Sequence, residues 1–189
     1  TVKVDNAAKV RMERYESHTI VNLQDGDNIV KWIPNVEKTL IVGNANYGDI
    51  PIYKVTLDGV EVESSGNQFF VTPKEGSVVV VMANYPDVDC PVKFNFSSDD
   101  IKPILTKVTA DGKEITNYTD ANFTVKAGTK LALTFDKTNY ALKSFKVNDV
   151  ATSVYGTFEY LVKAATTFDI KAHKYATIKA TLNVDKAEN

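Results

Sequence analysis

The residue types that most often carry chemistry are sparse in this chain. Its two histidines, His18 and His173, lie far apart. Neither stands in a His-x-x-x-His or His-Glu-x-x-His arrangement, which would set two imidazoles on one helix face for zinc. Cys90 is the only cysteine, so no internal disulfide or thiolate metal cluster can form. Carboxylates gather at Asp25–Asp27, Asp87–Asp89 and Asp99-Asp100. Each group offers two acids, whereas calcium takes six to eight oxygens, so turns and solvation explain them better. Glu61-Val62-Glu63 would set two carboxylates on one strand face, as a glycosidase requires. The corresponding residues of a second copy of this stretch are Ala151 and Ser153, which favours a solvated strand face. There is no Gly-x-Ser-x-Gly elbow and no glycine-rich phosphate loop. These residues lead us to expect no catalytic residue, no metal, no cofactor and no enzyme.

Aromatic side chains offer the remaining chemistry, stacking on a sugar ring. Trp32, Tyr47 and Tyr53 are the residues such a ligand would use. Against it stands the ordinary reading, that a tryptophan near a strand end fills core space. The triplets at Asn95, Asn117 and Asn122 match the glycosylation pattern, but a chain this rich in Asn, Ser and Thr produces such triplets by chance.

Charge excludes further classes. With 22 basic and 24 acidic residues the net charge is -2, which gives no footprint for nucleic acid and no polybasic patch for anionic lipid. The longest apolar run, Val78–Ala83, has the length of a strand and falls well short of the roughly 18 to 20 residues of a membrane span. A start at Thr1, without methionine or an apolar leader, is what a chain cut from a longer precursor would show.

The elements that carry these residues are written twice. Ile52–Tyr85 recurs at Leu142–Tyr175. Val55 and Leu57 fall on Phe145 and Val147, and the turn Asp58-Gly59 falls on Asn148-Asp149. After a one-residue gap, Phe69 and Val71 fall on Phe158 and Tyr160, then Val79 and Val81 on Phe168 and Ile170. A repeat of about 90 residues divides the 189 residues into two domains, 1–90 and 91–189. Alternation of apolar and polar residues between Gly, Asn and Asp turns predicts strands throughout. These are Thr1–Asp5, Ala8–Tyr15, His18–Leu23, Asn28–Trp32 and Thr39–Val42, with counterparts including Val92–Asn95, Asn122–Val125 and Lys130–Phe135. Asp25-Gly26 reads as a hairpin turn. The unbroken run Val78–Val81 reads as a strand covered on both faces, and Pro86–Pro91 as a short linker. Ala176–Val184 reads as a final strand. The fold class is therefore all-β, two tandem Ig-like β-sandwich domains.

The second copy carries a phrase: Gly128–Phe135, then Asn139–Asn148 with its Asn-Tyr corner, then Gly156–Tyr160, then the closing Ala165–Ala172. It resembles the divergent β-repeats of bacterial surface proteins, of the internalin B-repeat type. The resemblance covers about Phe123–Tyr175 and extends more weakly to Ile29–Tyr85. The usual tryptophan of the fourth strand is replaced by Phe145 and Val55, and each copy is longer by an opening pair of strands. The whole unit also looks like the tandem β-domains of exported Bacteroidetes proteins. The resemblance implies an extracellular or cell-surface location, as in an outer-membrane lipoprotein, and an adhesive or spacer role. A protein or glycan ligand at the cell surface is the expected partner of a monomer that binds no nucleic acid and does not insert into the membrane. The alternative is a glycan-binding accessory module of a surface polysaccharide-utilisation system.

Overall fold

The computed structural model describes residues 1–34, 36–46, 50–119 and 122–177. The chain is all-β and forms two compact units, residues 1–88 and 89–189. The described part of the first unit holds β1 (Val2–Val4), β2 (Val10–Arg14), β3 (Ile20–Val21), β4 (Gly26–Asn28) and β5 (Leu40–Asn44). It continues with β6 (Lys54–Leu57), β7 (Val60–Glu61), β8 (Ser64–Ser65), β9 (Gln68–Val71) and β10 (Val79–Met82). The second holds β11 (Asp89–Phe96), β12 (Leu105–Ala110), β13 (Lys113–Glu114), β14 (Phe123–Lys126) and β15 (Lys130–Phe135). It ends with β16 (Tyr140–Val147), β17 (Val150–Ala151), β18 (Phe158–Leu161) and β19 (Thr166–Lys174). A short 3-10 turn joins β1 to β2 (Ala7–Lys9) and another joins β11 to β12 (Asp99–Ile104).

In the described residues each unit has two sheets, and the sheet order repeats except that β8 has no counterpart. The first unit reads β4-β1-β10-β6-β7 and β3-β2-β5-β9-β8; the second reads β14-β11-β19-β16-β17 and β13-β12-β15-β18. In both units the opening strand runs parallel to the closing one, and every other pair is antiparallel. Register places Phe69 opposite Val42 and Phe158 opposite Leu133, so the two phenylalanines hold the same rung of the ladder.

Three hairpins turn on residues in the left-handed region: Asp58-Gly59, Asp111-Gly112 and Asn148-Asp149 all have positive φ at both positions. A two-residue loop of this hand matches the twist of the strands it joins, and Asp-Gly or Asn-Asp adopts it with little strain. Each turn is also tied to a third strand. The side-chain oxygens of Asp58, Asp111 and Asn148 accept the N–H of Val78, Lys130 and Thr167 at 2.8–2.9 Å.

The core of each unit lies between its two sheets. In the first, Val2, Val4, Val55, Val79 and Val81 of one sheet meet Met12, Leu40, Val42, Phe69 and Val71 of the other. In the second, rings take the place of valines. Phe168 stacks on Phe94 at 5.1 Å, and Phe145 meets Phe158 of the facing sheet at 4.8 Å.

Several expectations need correction. Asn28–Trp32 is not a strand: β4 ends at Asn28, where it opposes Val2, the first residue of β1. Asp25-Gly26 is not a hairpin turn, because β3 and β4 belong to different sheets. Ala7–Lys9 is a 3-10 turn, and β2 begins at Val10. Of the run Val78–Val81, Val79 and Val81 face the core while Val80 is only half-buried, so one face of β10 is covered. The stretch Pro86–Pro91 is a connection only as far as Val88, since β11 begins at Asp89 and buries Cys90. The aligned apolar positions of the repeat read as core, yet Leu57, Phe158 and Tyr160 are half-buried where their counterparts Val147, Phe69 and Val71 are buried. Phe158 and Tyr160 sit on β18, which among the described residues is an edge strand without the neighbour that β8 gives β9. Ala176 and Thr177 are not in a strand, and the rest of the expected final strand lies outside the described residues.

Candidate functional site

Of the three aromatic candidates, Trp32 and Tyr53 fall within the described residues. Trp32 is half-buried and packs against the first unit's core. It follows Val30, which is buried, so this unpaired segment still alternates inward and outward. Tyr53 lies just before β6, its backbone N–H bonded to Met82 O at 3.0 Å, and its ring meets Tyr85 at 5.0 Å. Burial of the Tyr85 phenol, and secondarily the neighbouring Tyr53, pushes its pKa up to about 12. Tyr47 lies outside the described residues.

The acids serve the fold. Asp25 accepts the N–H of Ala7 at 2.6 Å. Asp27, Asp89 and Asp99 pair with Lys3, Lys126 and Lys102. Glu61 pairs with Lys54 across the β6–β7 hairpin at 2.7 Å, a contact that raises the lysine pKa, while Val62 turns back onto the core. No three metal-binding side chains come together among the described residues. His173 is exposed on β19. His18 is exposed at a positive-φ position, with Nδ1 3.2 Å from Glu13.

That last contact belongs to a concavity that candidate-picking by residue type overlooked. Arg11, Gly43 and Gln68 form one row across β2, β5 and β9, on the sheet face turned away from the core. Beside them Glu13 is hydrogen-bonded to His18 and then to Arg11 Nη2 at 3.1 Å, which holds its carboxyl below the usual range against the opposing effect of burial. The hollow holds about 100 Å³ and is floored by Ile41, Gly43 and Pro51. The sequence signal was there: Gly43 interrupts the strand Leu40-Ile-Val-Gly-Asn44, and an isolated glycine in a strand marks a bulge or a close approach. Among the described residues no helix is long and apolar enough to cross a membrane. The chain matches no family model, no curated protein and no solved structure.

Proposed function

We propose that the chain is a non-enzymatic, exported tandem β-module that works as an adhesion or spacer element at the cell surface, each unit being an Ig-like sandwich. The observation that supports this most is the parallel closure of both units. β1 pairs with β10 from Val2 opposite Val79 to Val4 opposite Val81, and β11 pairs with β19 from Val92 opposite Thr166 to Phe96 opposite Ile170. The chain enters a unit at the start of one strand and leaves at the end of its parallel partner. Tension between the two ends therefore pulls the strands past each other along their length and loads their hydrogen bonds together. An antiparallel hairpin pulled from its open end gives up its bonds one at a time. The ends of β1 are also locked: the nitrogen of Thr1 donates to Ser77 O at 2.9 Å, and Asp5 accepts the N–H groups of Ala83 and Asn84. This arrangement suits a spacer under load.

Single-molecule stretching tests it. Pulled from the two chain ends, the units should unfold at a clearly higher force than when one attachment is moved to the β6–β7 or β16–β17 turn. Equal forces in the two geometries would remove the mechanical argument. The glycan-binding reading stands second, supported by the hollow over Gly43.

A further inference from the structure

We infer that the hollow on the outer face of the first unit's second sheet is a binding site for a neutral pyranose residue of a glycan. The inference rests on the glycan-binding reading and not on the spacer reading.

Gly43 carries the argument, because the fold gives no reason for a glycine there. Its φ does not lie in the left-handed region that favours glycine. The ladder passes through it without a register shift, from Arg11 on one side to Gln68 on the other, so it is no bulge. An added Cβ would meet nothing closer than Asn67 O at 3.5 Å and Gln68 Cγ at 3.6 Å, which are ordinary contacts. A glycine in the middle of a central strand weakens that strand. Gly43 is itself buried, at the bottom of the hollow, and the explanation left is that the space its missing side chain leaves is used by something that enters there.

The repeat supplies the control. The second unit has the same sheet order without a counterpart of β8, and there the residue at this rung is Thr134, opposite Lys107 of β12 and one rung beyond the end of β18. The second copy thus carries a β-branched residue at this rung, there flanked by β12 alone. Glu13 has Thr109 as its equivalent, opposite Ala132 as Glu13 is opposite Ile41. Glycine and the Arg–Glu pair are particular to the first copy.

The lining selects the ligand class. Its base is apolar, with Gly43 and Ile41 buried at the bottom and Pro51 half-buried beside them, and admits a C–H edge of a sugar ring. Its rim is polar. Arg11 and Glu13 are paired at 3.1 Å and cancel each other's charge, yet between them they offer both donors and acceptors to adjacent hydroxyls. The side-chain amides of Asn67 and Gln68 are exposed at the opposite edge and can do the same. An acidic ligand would face Glu13 and a cationic one Arg11, so a neutral polyol is favoured over either.

The test is an NMR titration of the full chain with methyl glycosides of neutral hexoses and of N-acetylglucosamine, each to about 100 mM, since a single-sugar contact saturates in the millimolar range. A uronic acid and an amino sugar serve as charged controls. At least one neutral glycoside should give saturable shifts at the amides of Gly43, Arg11 and Gln68, with the charged analogues at least tenfold weaker. Gly43→Thr, which copies the second unit, should weaken binding at least tenfold while leaving the melting temperature unchanged or raised. Gln68→Ala, on the exposed rim, is the second variant and should weaken binding without unfolding. Absence of saturable shifts with every neutral glycoside overturns the site and leaves the spacer reading untouched. Undiminished binding by both variants overturns it too. So do shifts centred instead on the exposed Tyr155 and Tyr175 of the second unit, which border an open groove along β16.

Discussion

Asp58 and Asn148 hold equivalent turns with different chemistry. Both side chains accept a backbone N–H from the closing strand, at 2.8 Å from Val78 and from Thr167. Asp58 also takes the hydroxyl of Ser77 on its second oxygen at 2.8 Å. The Val78 bond first, and the Ser77 bond second, hold the Asp58 carboxyl below its ordinary value of 3.8. A group whose folded pKa is depressed contributes stability above its unfolded pKa, and that contribution is lost as the pH falls through the folded value. Asn148 does the same structural work without titrating. Asp58→Asn should therefore keep the turn, as the second copy does, and flatten the acid limb of the first unit's stability below about pH 4. The second unit should keep its own acid sensitivity, because Asp136 is held low by the side chain and then the backbone N–H of Asn139. Melting temperatures of wild type and variant from neutral pH downward decide it: an acid limb equally steep in both means other carboxylates carry the effect.

At the scale of elements, the strands that sequence placed well are those where alternation and turn chemistry agree. Val55, Val79 and Val81 alternate inward on either side of an Asp-Gly turn, and all three are buried. Sequence failed where pairing depends on a partner far along the chain. Ile29–Trp32 alternates like a strand, but the ladder with β1 stops at Asn28 opposite Val2, and local alternation does not record where a distant partner strand lies alongside. The inward-facing but half-buried Phe158 is a similar case. Its period is right, and its exposure follows from β18 being a sheet edge, which no local pattern records. The consequence is measurable. Phe168 is fully buried at the centre of the ring cluster, 5.1 Å from Phe94 and 5.9 Å from Phe145. Phe168→Ala should cost about 3–5 kcal/mol, the usual loss of transfer energy plus cavity. Phe158→Ala, with part of its ring already in water, should cost roughly half of that. Glu159, its neighbour, points outward to Lys130 at 2.6 Å, and Glu159→Ala should change little. Denaturant melts of the three variants give the order directly, and a Phe158→Ala loss equal to that of Phe168→Ala would mean β18 is covered. The concavity over Gly43 was legible in the same limited way: the lone glycine was visible, but the row Arg11–Gly43–Gln68 exists only once three strands are in register.

At the scale of the whole molecule, the duplication is a property of topology more than of side chains. Val2, Val55 and Val79 of one copy correspond by register to Phe94, Phe145 and Phe168 of the other, so the same sheet order encloses a valine core and a phenylalanine core. Each unit closes its own core, and each has a size at which independent folding is feasible but marginal, with about two thirds of the chain surface buried. The place of the cut then matters. Asp89 and Cys90 belong to β11, where they oppose Lys126 and Val125 of β14, and Cys90 is buried. Fragments 1–88 and 89–189 should both show dispersed amide spectra and cooperative melts. Moving the cut two residues later, to give 91–189, removes two ladder positions and the buried thiol from the second unit, and should lower its midpoint by several degrees, since about 1 kcal/mol shifts the melting of a domain this small by roughly 4–8 °C. The matching fragment 1–90 gains two residues with no sheet of its own to join, and should melt as 1–88 does. If 91–189 is as stable as 89–189, the start of β11 contributes nothing to its sheet. If neither 1–88 nor 89–189 folds, the two units are not independent and the repeat describes the ancestry of the chain and not its folding units.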